Sequence, residues 1–152
     1  MKQIRVLFVC HGNICRSTMA QYVLQDKVNK KGLSHLFVID SAATSQEEIG
    51  NDVHPGTRQV LNEQGIPCGH HTARQLRSKD ATQWDYFIGM DSANIRNMKR
   101  ILGRDSHNKI YKLLEFSSSE KDVADPWYTG DFDTTFDDIN SGCNGFLNYL
   151  GL

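Results

Sequence analysis

The first thirty residues impose the tightest constraint on the fold. Ile4 to Val9 is a short, nearly continuous apolar run of the kind found in strands buried on both faces. Only eight residues, Cys10 to Ser17, separate it from an amphipathic helix whose apolar positions are Met19, Ala20, Val23, Leu24 and Val28, with Gly32 as its stop signal. A strand passing so quickly into a helix begins a β-α unit, and the alternation recurs. A second apolar run, Leu36 to Ile39, precedes a helix that opens near His54 and Pro55, points Val60 and Leu61 inward and ends at Gly65. Tyr86 to Met90 reads as a third strand, and Asp91 or Ser92 can cap a helix carrying Ile95, Met98, Ile101 and Leu102. Lys109 to Leu113 reads as the fourth strand. Phe132, Phe136, Ile139, Cys143, Phe146, Leu147 and Leu150 then draw one stripe on a final helix. The expected fold is α/β: a single-domain four-stranded parallel sheet with helices on both faces, spanning residues 1–152. Ligands in such sheets bind beyond the carboxyl ends of the strands.

Length and composition narrow the function classes. A chain of 152 residues is the size of one domain and buries about 68–70% of its unfolded surface. A formal net charge of -1 argues against a partner with a nucleic-acid backbone. The charge is uneven, however: residues 1–31 hold six Lys or Arg against one acid, and residues 115–152 hold eight acids against one Lys. That asymmetry fits an anion site near the start of the chain. The longest apolar run near the start, Val6 to Cys10, is too short for a signal peptide or a membrane span, so no membrane partner and a cytoplasmic location are expected. Four irregularly spaced cysteines then read as free or reactive thiols. Cys68, His70 and His71 lack the fourth ligand and the spacing of a zinc site, so neither metal nor cofactor is expected.

The chemistry concentrates in Cys10-His11-Gly12-Asn13-Ile14-Cys15-Arg16-Ser17, a cysteine separated from an arginine by five residues. A loop this short, opening into a helix, can curl so that successive N–H groups point at one centre and cradle a tetrahedral dianion. Gly12 and Asn13 tolerate the dihedrals of such a curl. The planar fork of Arg16 can hold two phosphate oxygens, which a lysine cannot do. At the base of the nest, Cys10 feels the same N–H groups, which favour its thiolate. The Ser17 hydroxyl can hydrogen-bond that sulfur and ease its departure in a second step. Cys15, five positions on, packs beneath the nest and can pair with Cys10 under peroxide.

The segment Val6 to Ser17 closely resembles the signature of the low-molecular-weight protein tyrosine phosphatases. Further matches are Asp40-Ser41-Ala42, His71 with Ala73-Arg74-Gln75, Met90-Asp91 with Asn94, and Asp125-Pro126-Trp127-Tyr128 with Gly130 and Phe132. The resemblance implies a flavodoxin-like, phosphotyrosine phosphatase I-like fold. It also implies hydrolysis of phosphotyrosine and small aryl phosphates through a cysteinyl-phosphate on Cys10. Arg16 would bind phosphate, and Asp125 would act as general acid and then as base. Ser41 and His71 would support a strained Asn13, and Asp91 either caps its helix or orients a loop group. Trp127 and Tyr128 would form one wall of the substrate slot and limit solvent access to Asp125. Residues 44–50 would form the opposite wall, with Glu47 where many relatives place an aromatic. His11 also departs from common family choices. The backbone of residues 11–15 would contact the phosphate.

The implied partners are phosphotyrosine-containing proteins or small aryl phosphates, and the expected state is a monomer with weak dimerisation allowed. A thiol-linked arsenate reductase of the same fold is the alternative. It would need a resolving cysteine pair near residues 80 to 90, where this chain has none.

Overall fold

The computed structural model describes residues 2–152. Four strands, β1 (Ile4–Cys10), β2 (Phe37–Ala43), β3 (Tyr86–Gly89) and β4 (Ile110–Lys112), form one parallel sheet in the order β2-β1-β3-β4. The helices are α1 (Arg16–Lys30), α2 (Pro55–Glu63), α3 (Ser92–Leu102), the single turn α4 (Pro126–Thr129) and α5 (Phe132–Tyr149). The α/β architecture with helices on both faces is as expected.

Strand β1 shows why. Its side chains alternate between two cores, and Val6 to Val9 are fully buried. Val6 and Phe8 join the larger core with Met19 and Leu24 of α1 and Ile139 and Phe146 of α5. Leu7 and Val9 join the other with Leu76, Trp84, Phe87 and Met98 of α3. A strand apolar at every position from Val6 to Val9 fits only a layer covered on both sides.

Strand β2 is longer than its apolar run predicts. It pairs with β1 along its whole length, from Ile4 opposite Phe37 to Cys10 opposite Ala43. The polar pair Asp40-Ser41 conceals this continuation, since Ser41 is buried with its hydroxyl donating to Gln21 of α1 at 2.5 Å. Helix α5 carries two interior glycines, each costing about 1 kcal/mol in propensity relative to alanine. Both are required by close packing on the turn Leu113–Ser117. A Cβ at Gly142 would lie 2.4 Å from Leu113 Cγ, and one at Gly145 would lie 2.3 Å from the Phe116 carbonyl oxygen. No described helix is long and apolar enough to cross a membrane.

Because β2 and β3 flank β1 on opposite sides, the connections leaving β1 and β3 diverge at the carboxyl end of β1. A crevice opens there. The loop after β1 lies at its floor, between the loop after β2 and the one after β3.

Candidate active site

The loop from Cys10 to Arg16 closes on itself. Cys10 is buried, and its Sγ lies 3.1 Å from Ser17 Oγ and accepts the Asn13 N–H at 3.3 Å. Asn13 has φ of 61°, the left-handed region that costs most residues about 1–2 kcal/mol. Its surroundings fix it there. The Asn13 carbonyl accepts from His71 Nε2 at 2.9 Å, its Oδ1 accepts the Arg74 N–H at 3.3 Å, and its Nδ2 donates to Ser17 Oγ at 2.9 Å. Other carbonyls of the loop are also committed outward: Cys10 to Thr44 N, His11 to Ser45 N, and Ile14 to His54 N. The Cys15 carbonyl takes Met19 N and the hydroxyl of Thr18. With these carbonyls turned out, the loop's N–H groups face the side of Cys10, where the Asn13 N–H already meets its sulfur, the arrangement of an anion nest.

The expected support of Asn13 is corrected in one respect. His71 bonds it directly, but Ser41 spends its hydroxyl on Gln21 and braces α1 against β2 instead. Burial holds the His71 imidazole below its ordinary value of 6.5, against the opposing pull of the Asn13 carbonyl.

Arg16 is 2% exposed yet charged. Its Nη1 donates to Asp91 Oδ2 at 2.7 Å and to the Val123 carbonyl at 2.9 Å, and Nη2 lies 3.5 Å from Asp125 Oδ2. Burial opposes the charge, but Cys10, Asp91 and Asp125 outweigh it and raise the guanidinium above its ordinary value. One corner of the fork is thus anchored, which aims the remaining N–H groups at the nest.

Asp125 caps α4, its Oδ1 accepting the Trp127 N–H at 3.1 Å while Oδ2 faces Arg16. The Asp125 side chain is 24% exposed, and the neighbouring Trp127 and Tyr128, 57% and 83% exposed, line the same pocket. Across the mouth, Glu47 Oε2 lies 2.5 Å from His11 Nε2. Glu47 and His11 therefore satisfy each other, tying residues 44–50 to the loop after β1. Cys10, Arg16, Asp125, Glu47, Trp127 and Tyr128 line one pocket of roughly 250 Å³, together with His11, Gly12, Ile14 and Cys15. Burial, then Cys10 and Asp125, push the Cys15 thiol up to about 12, so it stays protonated near neutral pH.

The sequence offers Asp91 two roles and leaves the Val123 carbonyl unmarked. Asp91 both caps α3, by accepting the Asn94 N–H at 2.8 Å, and grips Arg16, so its two proposed roles coexist. Its position immediately after β3 was the available signal. The Val123 carbonyl left none. Of the two remaining cysteines, Cys68 is only half-buried, whereas Cys143 is fully buried on α5. Among the described residues, no three His, Cys, Asp or Glu side chains are grouped to hold a metal ion.

Comparison with known proteins agrees with this geometry. The family described as "Low molecular weight phosphotyrosine protein phosphatase" matches residues 5–151. The low molecular weight protein-tyrosine-phosphatase YfkJ of Bacillus subtilis is 40% identical over 146 residues, covering 95% of this chain and 94% of that protein. PtpA of Staphylococcus aureus is 34% identical over 148 residues, covering 97% and 94%. Among solved structures, YfkJ superposes with a TM-score of 0.95 at 38% identity over 99% of this chain and 96% of that one. The low molecular weight protein tyrosine phosphatase of Streptococcus pyogenes superposes with a TM-score of 0.88 at 39% identity over 99% and 93%. The chain belongs to the low-molecular-weight protein tyrosine phosphatase family.

Proposed function

We propose that this protein, acting as one domain over residues 1–152, hydrolyses phosphotyrosine in proteins and small aryl phosphates through a covalent intermediate on Cys10. The observation that carries the reading is the convergence of Cys10 Sγ, the buried Arg16 and Asp125 on one pocket at the carboxyl end of β1.

The Cys10 thiolate attacks phosphorus. The bond from phosphorus to the aryl oxygen breaks, its electron pair passes to that oxygen, and Asp125 donates the proton that makes it a phenol. The loop N–H groups and Arg16 hold the equatorial oxygens as charge spreads over them. In the second step the Asp125 carboxylate takes a proton from water, the water oxygen attacks phosphorus, and the bond from sulfur to phosphorus breaks. Ser17 Oγ, 3.1 Å from the sulfur, hydrogen-bonds the departing thiolate, and inorganic phosphate leaves. No step requires a metal or cofactor, and the arsenate reductase alternative is not favoured by the family match. A phosphotyrosine ring reaches from the nest to the rim, where Trp127 and Tyr128 offer it a wall. Phosphoserine is too short to bring its phosphate to the thiolate. The proposed setting is the cytoplasm, and the proposed state is a monomer.

Hydrolysis of p-nitrophenyl phosphate with EDTA present tests the reading. Wild type should turn over, Cys10→Ser should be inactive, and Asp125→Ala should be impaired. Metal-dependent turnover, or activity surviving Cys10→Ser, would overturn it. Brief peroxide treatment should link Cys10 to Cys15; sulfinic acid alone at Cys10 would refute that pairing.

A further inference from the structure

His54 lies outside the pocket, yet it touches both halves of the site. Its backbone N–H donates to the Ile14 carbonyl at 2.9 Å, inside the phosphate loop. Its ring Nδ1 accepts the Gly56 N–H at 2.9 Å and so caps α2. The same ring stacks on Phe132, centroids 5.1 Å apart and planes 22° apart, and meets Trp127 edge-on at 5.7 Å. Phe132 is the first residue of α5, and Trp127 lies two residues beyond Asp125. The packing is close enough to dictate the residue at 56: a Cβ there would lie 2.5 Å from the Phe132 ring.

The segment carrying Asp125 needs such a contact. It is anchored before the carboxylate, where Val123 N donates to the Met90 carbonyl and Ala124 O accepts from Thr135 Oγ1. It is anchored again at Asp131, which caps α5. Between these points the turn through α4 buries only Pro126. Among the described residues, its polar and ring contacts with the rest of the molecule are Asp125 to Arg16 and Trp127 to His54. The first of these, at 3.5 Å, is long and involves the reacting groups themselves.

We propose that His54 is a positioning residue: its backbone is tied to the phosphate loop and its ring, stacked on Phe132, holds Trp127 and thereby aims Asp125 at the leaving oxygen. The inference rests on the proposed role of Asp125 as general acid. A misplaced acid penalises substrates in proportion to how much their leaving group needs a proton. The measurable quantity is therefore the ratio of kcat/KM for phenyl phosphate to that for p-nitrophenyl phosphate, whose leaving group departs more readily unprotonated.

Two substitutions separate the ring from the cap. His54→Asn keeps a side-chain acceptor for the Gly56 N–H and removes the ring. It should retain the wild-type Tm while the ratio falls about 10- to 100-fold. His54→Phe keeps the ring and removes the acceptor. It should lose about 2–4 °C in Tm and hold the ratio within about twofold. If His54→Asn fails to fold, His54→Ser supplies the same cap without the ring. Asp125→Ala run in parallel keeps the two ideas apart. A ratio unchanged in Asp125→Ala overturns the acid assignment and this inference with it. A ratio lowered in Asp125→Ala but unchanged in His54→Asn, or lowered equally in His54→Asn and His54→Phe, overturns the positioning role alone.

Discussion

The phosphate loop after β1 and the turn carrying Asp125 face each other across one pocket, and they are held by different means. Cys10, Asn13, Arg16 and Ser17 are all buried, and the loop's carbonyls are tied to residues 44, 45, 54 and 71. The turn through α4 has an exposed Trp127 and Tyr128 and few contacts with its surroundings. The contrast fits the tasks proposed for them. An anion nest must present its N–H groups before the dianion arrives, and a buried, cross-braced loop supplies that preorganisation. The acid must approach a leaving oxygen that enters and departs with each substrate, and a lightly held turn permits that approach. Substitutions in the two regions should accordingly differ in kind: loop changes should alter stability and phosphate affinity together, and turn changes should alter chemistry alone.

The largest effect expected from the turn is that of Asp125→Ala, which should lower kcat/KM on phosphotyrosine peptides by about 10²–10⁴-fold. Thermal unfolding should be nearly unchanged, because the only cap lost is that of a single exposed turn. A large drop in Tm would break the comparison. On the loop side, Asp91→Asn leaves Arg16 without its closest carboxylate. It should lower kcat/KM about tenfold and weaken competitive inhibition by inorganic phosphate. It should also cost about 1–3 kcal/mol of stability in urea titrations. Loss of activity without loss of stability would place Asp91 with the turn rather than with the loop.

His71 extends the same logic to pH. Its pKa lies below the ordinary 6.5 in the folded protein, so the unfolded chain binds the proton more readily and protonation favours unfolding. This contribution is fully present above about pH 6.5 and is lost as pH falls through the folded value. Wild type should lose stability more steeply than His71→Gln between neutral pH and pH 5, which urea titrations at matched ionic strength would measure; parallel curves would show that burial does not hold the His71 imidazole neutral. The smallest effect belongs to the rim. Glu47 is exposed and paired with His11, so Glu47→Trp should change kcat/KM on phosphotyrosine peptides only about two- to fivefold, raising it for acidic flanking residues most. An unchanged efficiency across basic and acidic peptides would remove Glu47 from specificity.

What could be read in the sequence divides along similar lines. The run Ile4 to Val9 and the stripe of α5 are local patterns, and each forms the element it predicts. Interactions between distant segments left weaker signs. Asp91 reads as a helix cap because the Asn94 bond is local, while its grip on Arg16 spans 75 positions. Ser41 is a further case: alternation along β2 turns its hydroxyl toward Gln21 on α1 rather than toward Asn13. His54 looked like nothing more than a helix start, because the rings it touches lie 73 and 78 positions away and arrive only when α5 packs.

The most direct test of the account is to trap the intermediate. Asp125→Ala, mixed rapidly with p-nitrophenyl phosphate and quenched in acid, should carry phosphate on Cys10, located by peptide mass spectrometry, and the same variant with Cys10→Ser should carry none. Phosphate on another residue, or steady turnover by Cys10→Ser with no covalent adduct, would contradict the assignment of Cys10 as the nucleophile on which the account rests.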